Sequence, residues 1–416
     1  MLRRRLAVAV LVAVAVLPLQ RLASQTPASE ARAASERSLP TSLTAAEIDR
    51  DLDALQLELK NRPAYLKSAD ADYRVLLDTL RARGATGMSR LTFGIEVLKI
   101  VAGLTDGAAC VKGMDFPPGD LPFYLESTDD RVVAVRIDRV SLVDPYRPYV
   151  ARIDGRPIEE WLEAAERLVP KASPQRMWRG QLRHIQNVQF MRAMMGLPAP
   201  DSVTIDVESR DGRSTRRVTM AVSPRMTGSV VWPSSVSRVM YGNVGYLRIP
   251  LMDDYAANEI ATWMPQFRET RGLVIDVRGN GGGNREALRA LLPYFSADTA
   301  AARSTNAFVY GKPVVILLDE GSMGTTEAFA AAFKDKPDVT LMGTPSAGGV
   351  APHVSVTLPV SQLKVTFTAL ASLQPNGQAI GVAGVQPEVL VRPEPDYFLA
   401  RGWDAALEKA IDHVRR

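Results

Sequence analysis

The 416-residue sequence predicts an α/β protein whose βαβ core follows a helical N-terminal region and a small α+β module. Three observations carry this. From residue 241 onward, short apolar runs alternate with stretches of helical period, the order expected of βαβ units. Two of those runs, Gly272 to Val277 and Pro313 to Leu318, are continuously apolar, as in strands buried on both faces. Residues 43–105 instead repeat their apolar positions at helical spacing.

The chain opens as an address. Arg3, Arg4 and Arg5 precede an apolar run from Leu6 to Leu19, with small residues around Leu22-Ala23-Ser24. That is the pattern of a secretory signal peptide, expected over 1–24. Its apolar run is short of the ~20 residues that span a bilayer, although an uncleaved anchor is the other reading. Residues 25–40 are small and polar and read as a linker. The expected site of action is therefore outside the cytoplasm, secreted or in a bacterial periplasm, with membrane contact only through an uncleaved signal segment.

Charge narrows the partners. Lys and Arg number 50 against 46 Asp and Glu, and the surplus of four is Arg3, Arg4, Arg5 and Arg21. The remainder of the chain is balanced, so no basic domain is left to attract phosphate, and nucleic acid is excluded as an expected partner. One cysteine, Cys110, rules out an intrachain disulfide and reads as a small core residue. Three histidines, His184, His353 and His413, leave little for a zinc site. No metal or cofactor is expected.

The helical region is assigned to 41–129. Ser42 is a candidate cap for a helix containing Ile48, Leu52, Leu55, Leu57 and Leu59, and a second periodic stretch runs from Phe93 to Leu104. The α+β module is assigned to 130–228. Arg131 to Val140 alternates as a strand, Ala151 to Ile153 leads to an Asp154-Gly155 turn, and a long helical stretch carries Trp161, Leu162 and Leu168. Val203 to Val207 and Arg216 to Val222 then form a hairpin about Asp211-Gly212.

In the core, assigned to 241–416, strands are expected at Val244 to Ile249, Gly272 to Val277, Pro313 to Leu318 and Val339 to Met342. Helices are expected at Asp254 to Arg268, Ala287 to Phe295 and Thr325 to Lys334. Ligands bind beyond the carboxyl ends of such strands, which selects two loops. The first runs from Asp276 to Asn284. Gly279, Gly281, Gly282 and Gly283 allow its backbone N–H groups to converge into a nest for an oxyanion or carboxylate. A dinucleotide fingerprint needs glycine where Asn284 stands. A plain glycine turn is the bland alternative, and Asp276 with Arg278 reads as a structural pair. The second loop, Asp319 to Glu327, joins a buried strand to an Ala-rich helix. Such a turn can present a nucleophile, or Thr325 or Thr326 can simply cap the helix.

The ordered motifs Asp276-Val-Arg-Gly-Asn-Gly-Gly-Gly283, Pro313-Val-Val315, Gly321-Ser-Met-Gly-Thr-Thr-Glu-Ala-Phe-Ala330, Gly343-Thr-Pro-Ser-Ala-Gly348 and Gly384-Val-Gln-Pro-Glu388 resemble the tail-specific, or C-terminal-processing, serine peptidase family. Tricorn-core and interphotoreceptor retinoid-binding proteins are relatives. The resemblance covers residues 241–416 and implies a ClpP/crotonase-like core. Residues 130–228 stand where many relatives carry a PDZ-like domain, matched through Val150-Ala-Arg-Ile-Asp-Gly-Arg-Pro157. It also implies a protein that engages unstructured or C-terminal segments of other proteins.

The family's catalytic positions carry over as residues without the chemistry. The nucleophile position is Gly324, three residues before Glu327. The lysine of a Ser-Lys dyad, 25 residues later, falls on Gly349. The histidine base of an Asp-Gly-His-Thr turn falls on Ala108. The tricorn-like glutamate before Gly384 is absent, where Gly381, Val382 and Ala383 stand. The nest at Gly281 and Gly282, which supplies an oxyanion donor in relatives, is kept. Two expectations follow: a catalytically impaired peptide-binding member, or an active endopeptidase using a displaced hydroxyl. For the second, Ser322, Thr325 or Thr326 is the candidate nucleophile and His353 the candidate base.

Overall fold

The computed structural model describes residues 39–61, 72–104, 106–128, 131–139, 141–225, 236–295, 308–334, 336–348, 353–369, 383–395 and 404–416. The expected signal peptide, most of the linker, Gly349, Gly381 and Val382 lie outside them. Residues 40–416 form one compact unit.

The N-terminal part starts with β1 (Ser42–Leu43), α1 (Ala45–Lys60), α2 (Tyr73–Arg83), β2 (Met88–Ser89), α3 (Arg90–Ala102) and β3 (Cys110–Lys112). Ser42 is not the cap of α1. It is paired with Ser89 in a short antiparallel ladder, and Thr44 takes the capping position. The reason is three residues downstream: Glu47 accepts the Thr44 N–H and hydroxyl at 2.9 Å each, closing a capping box that Ser42, with Ala45 at that spacing, cannot form.

A second layer follows: β4 (Tyr124–Thr128), β5 (Arg131–Val135), β6 (Tyr149–Ile153), β7 (Arg156–Pro157), α4 (Ile158–Glu166), α5 (Pro174–Gln186), α6 (Val188–Met194), β8 (Ser202–Glu208) and β9 (Thr215–Ala221). Its sheet order is β4-β5-β6-β8-β9, with β7 on β6. The strand expected to reach Val140 stops at Val135, because the chain turns through Arg139 at φ 57°. The expected long helical stretch is three helices. Pro170 interrupts it, and Ser173 caps the next helix at Pro174 by accepting the Arg176 N–H. Val203, Ile205 and Val207 alternate inward on β8. They join one apolar core with Leu52 and Leu59 of α1, Phe93 of α3 and Trp161 of α4.

The remaining elements are β10 (Arg238–Met240), β11 (Val244–Arg248), α7 (Asp254–Trp263), β12 (Gly272–Asp276), α8 (Glu286–Leu291), β13 (Val314–Leu318), α9 (Thr325–Phe333), β14 (Val339–Gly343), β15 (His353–Thr357), β16 (Lys364–Thr368), β17 (Val389–Leu390) and α10 (Ala405–Val414). The central sheet runs β10-β11-β12-β13-β14-β17, parallel except for the β10–β11 pair. Every residue of β11, β12 and β13 is buried. Leu273, Ile275, Ile316 and Leu318 pack with Ile260 of α7, Leu291 of α8 and Phe333 of α9. Val274, Val315 and Leu317 pack on the other face with Leu407, Ile411 and Val414 of α10. Cover on both faces explains the uninterrupted apolar runs. The β15–β16 hairpin pairs with β3, so it ties the core to the N-terminal part. It thereby carries the turn that holds Ala108 toward the carboxyl ends of the central strands.

Candidate functional site

The parallel strands β12 and β13 deliver both selected loops to the same edge. Below them, Asp276 is fully buried. It receives the Tyr246 hydroxyl at 2.8 Å and Arg278 at 2.6 Å and 3.0 Å, while Arg278 also binds Asp404 at 2.6 Å and 2.9 Å. Burial by itself would raise the Asp276 carboxyl. The Arg278 and Arg248 guanidinium charges outweigh that and hold it at about 2. This carboxylate is a permanent anion inside a structural network, which anchors the start of the glycine loop.

The loop itself is a frame with one open position. Gly279 donates its N–H to Asp319 at 2.7 Å, and Gly282 donates to the Asn280 side chain at 2.9 Å. Asn280 in turn donates to the Ile249 carbonyl. Gly283 is pressed so closely on Met252 that a Cβ would meet its carbonyl oxygen at 1.9 Å. A Cβ on Gly282 would stand 2.9 Å from the Met323 carbonyl. The expected donor nest therefore narrows. The Gly279 and Gly282 N–H groups are spent on the loop's own scaffold, whereas Gly281 has open space at its Cα and lines a cavity of about 680 Å³. Among the described residues the Gly281 N–H has no acceptor.

Ser322 does not reach that cavity. It is fully buried, donates its hydroxyl to the Val277 carbonyl at 2.9 Å, and accepts the Asp319 N–H at 3.2 Å. A hydroxyl without access to substrate cannot attack a carbonyl, so the geometry removes Ser322 as the displaced nucleophile and makes it a turn residue. Thr326 is equally buried, with its hydroxyl 2.8 Å from the Asn280 side-chain oxygen. Thr325 is half-buried and donates to the Gly283 carbonyl at 3.1 Å.

Gly324 is different. Its backbone sits at φ 59°, ψ −119°, a conformation that strains any residue with a Cβ. Yet a Cβ built there meets no atom within 4 Å. The turn has the strained strand-to-helix form in which hydrolases present a nucleophile, with empty space where the side chain would stand. Glu327, one turn into α9, is buried and ties this turn to the following loop through Gly324, Ser346 and Gly348. Burial raises its carboxyl, and the three hydrogen bonds partly oppose the rise.

The base positions complete the picture. The Ala108 N–H binds the Asp106 carboxylate at 3.1 Å, and Asp106 also receives the Thr368 N–H and hydroxyl. The turn's Gly107 and Ala109 line the same cavity as Gly281 and Met323. An alkyl group thus stands where the family resemblance leads one to expect the base. His353 begins β15, paired with Thr368, and is exposed. It does not line the cavity, so the structure does not assemble it with Gly281 or Thr325 as a base. Among the described residues no cluster fit to hold a metal occurs, and no helix is long and apolar enough to cross a membrane.

The sequence reading missed the wall opposite these loops. Helix α5 docks on the loop that Glu327 holds: Gln175 donates to the Ser346 carbonyl and Arg176 to the Gly348 carbonyl, each at 2.7 Å. Arg176, Arg179 and Arg183, spaced for one helical face, line the cavity. Their spacing was the available signal, hidden inside a stretch read only as helical.

Residues 243–391 match the family model described as peptidase family S41. This region is similar to S41 peptidases. The relatives of the S41 region include the carboxy-terminal processing protease CtpB of Bacillus subtilis (strain 168), 28% identical over 182 residues, 40% of this chain and 38% of the relative. They also include the tricorn protease of Thermoplasma volcanium, 25% identical over 187 residues, 42% of this chain and 17% of the relative. The chain spans less than half the length of these curated relatives. The crystal structure of mature CPAF superposes with a TM-score of 0.63 at 16% identity, covering 89% of this chain and 97% of that one. Mature CPAF complexed with lactacystin gives 0.64. These structural likenesses extend the fold beyond the S41 region to the preceding layers.

Proposed function

We propose that this protein is a secreted S41-family receptor for extended or C-terminal peptide segments, impaired in cleavage. The observation that carries the reading is Gly324: the strained turn and the space for a nucleophile are present, and the side chain is not. Ala108 at the expected base position and the burial of Ser322 support the same conclusion, since an alkyl group stands where the family resemblance expects the base and the Ser322 hydroxyl does not reach the cavity. The retained cavity and the open Gly281 N–H support binding by backbone donors, a mode that needs no catalytic serine. Relatives named carboxy-terminal processing proteases support protein tails as the ligand class. The 124–221 sheet and its helices stand where a PDZ-like module is expected in the family, and we assign it the same accessory role in peptide capture.

The test pairs two assays on the purified chain. Casein and peptides with apolar carboxyl-terminal tails are offered as substrates, and a fluorophosphonate is offered as a label for an activated hydroxyl. The expected result is neither cleavage nor labelling, with saturable binding of the peptides. Cleavage lost in Thr325→Ala, or labelling at any residue of the 319–327 loop, sinks the impaired-receptor reading.

A further inference from the structure

The cavity has an uneven charge ledger. Arg139 is paired with Glu126 at 2.9 Å, and Arg278 is paired with Asp276 and Asp404. Arg179 lies against Gly321, within the fields of Asp319, Glu320 and Glu126. Arg176 and Arg183, on the same wall, have no carboxylate within 4.0 Å among the described residues. The Arg176 guanidinium donates to the neutral Gly348 carbonyl at 2.7 Å and lies within the fields of Glu327 and Asp106 without a direct ion pair. Arg183 is exposed at the cavity rim. Between them lies Trp178, whose buried indole N–H has no acceptor in the described structure. Arg176, Arg183 and Trp178 therefore leave donors on this wall that no described carboxylate pairs directly.

Placement suggests the complementary ligand. Arg176 is tied to the 346–348 loop beside the Gly324 turn, and Arg183 lies seven residues further along α5. At ~1.5 Å per residue these positions are ~10 Å apart along the helix axis. An extended peptide rises ~3.3 Å per residue, so groups three residues apart in it span the same distance. Unpaired guanidinium groups are strong, directional receptors for carboxylates.

We propose that Arg176 and Arg183 form a carboxylate-binding wall that selects acidic peptide segments in this cavity. The inference rests on the peptide-binding reading above and adds the chemistry of the ligand. Arg176 takes a carboxylate near the Gly324 turn, and Arg183 takes one about three residues away at the rim. A terminal carboxylate is the same chemistry from another source.

The test uses the full chain and three N-terminally labelled hexapeptides. They are Ala-Glu-Ala-Ala-Glu-Ala as the free acid, the same peptide as its amide, and the amide of Ala-Gln-Ala-Ala-Gln-Ala. Anisotropy titrations at low salt should show the Glu amide bound about tenfold tighter than the Gln amide. Arg183→Gln should close most of that gap and Arg183→Lys should keep part of it. Because Arg183 is exposed, its variants should melt like the parent; Arg176→Gln provides a second reading from the inner end. A preference seen only for the free acid over the amide, and lost in Arg176→Gln or Arg183→Gln, supports the wall with the terminal carboxylate as its ligand. Equal binding of all three peptides overturns the inference and leaves peptide binding intact. A preference that survives in both arginine variants also overturns it. Binding of none removes the peptide-receptor reading and this inference with it.

Discussion

Glu327 accepts the Gly324 N–H at 3.0 Å on one carboxylate oxygen, and on the other it accepts the Ser346 hydroxyl and the Gly348 N–H at 2.6 Å each. One buried side chain thereby sets both the Gly324 turn and the loop on which α5 docks. The contacts that hold this turn and loop are therefore hydrogen bonds of Glu327 to backbone and to Ser346. These hydrogen bonds stabilise the fold in their own right.

Gly324→Ser should fold, since no atom lies within 4 Å of the added Cβ. The positive φ should cost about 1–2 kcal/mol of stability. Cleavage should remain near background, because Ala108 cannot accept a proton and the other family base position is Gly349. Casein turnover and fluorophosphonate labelling of the variant check this. Turnover comparable to a competent serine peptidase would show that the base has been placed wrongly.

Ser322→Ala should lower stability by about 1–3 kcal/mol, because the Val277 carbonyl loses its hydroxyl donor and the Asp319 N–H loses an acceptor in a buried turn. Reactivity toward a fluorophosphonate should be unchanged from the parent. Chemical denaturation combined with labelling separates this structural role from a catalytic one.

Asp276→Asn should destabilise the fold by about 3–5 kcal/mol, because it removes the buried carboxylate facing Arg248 and leaves Arg278 with Asp404 alone. Acid titration gives the sign independently. The folded carboxyl is held at about 2 against 3.8 unperturbed. Its contribution is therefore complete above pH 3.8 and is lost as pH falls toward 2. Denaturation midpoints measured across that range should fall steeply in the parent and less in the variant.

Glu320 should act in the opposite sense. Burial first, then the neighbouring Asp319 charge, raise its carboxyl to about 7 from 4.5, against the favourable Arg179 charge. Glu126 and the Thr344 hydroxyl complete its surroundings. The folded state then holds its proton more tightly than the unfolded state does, so stability should decline as pH rises from 4.5 to 7. Glu320→Gln should flatten that decline. A parent stability that rises across this window by the amount Glu320→Gln removes would contradict the assignment.

Much of the fold is legible in local pattern. The continuous apolar runs at Gly272 to Val277 and Pro313 to Leu318 announce a sheet covered on both faces, and α7 to α9 against α10 provide that cover. Asp154-Gly155 and the glycines of 279–283 mark tight turns in advance, since a positive φ or a close approach leaves few other residues. The missed elements fail for equally local reasons. Ser42 and Thr44 are both good caps, and the choice rests on Glu47. The 131–140 alternation continues past the strand because Arg136 and Arg139 leave the ladder without breaking the pattern.

The candidate site divides along the same line. Motif order and spacing were sufficient to locate the S41-like region, and by resemblance they make Gly324, Ala108 and Gly349 the expected counterparts of the family's nucleophile and bases. These are questions of residue identity at a position, which a one-dimensional chain contains. Depth and proximity are not. Ser322 and Thr325 are both hydroxyls in one loop, and only packing buries the first against Val277 and leaves the second half-exposed beside Gly283. His353 follows the loop in sequence, yet the β15–β16 pairing places it on an exposed strand away from the cavity. The arginines of α5 face the Gly281 loop across about a hundred residues of chain. Burial and long-range contact depend on the whole fold at once, and so they are decided only when the separate elements close on each other.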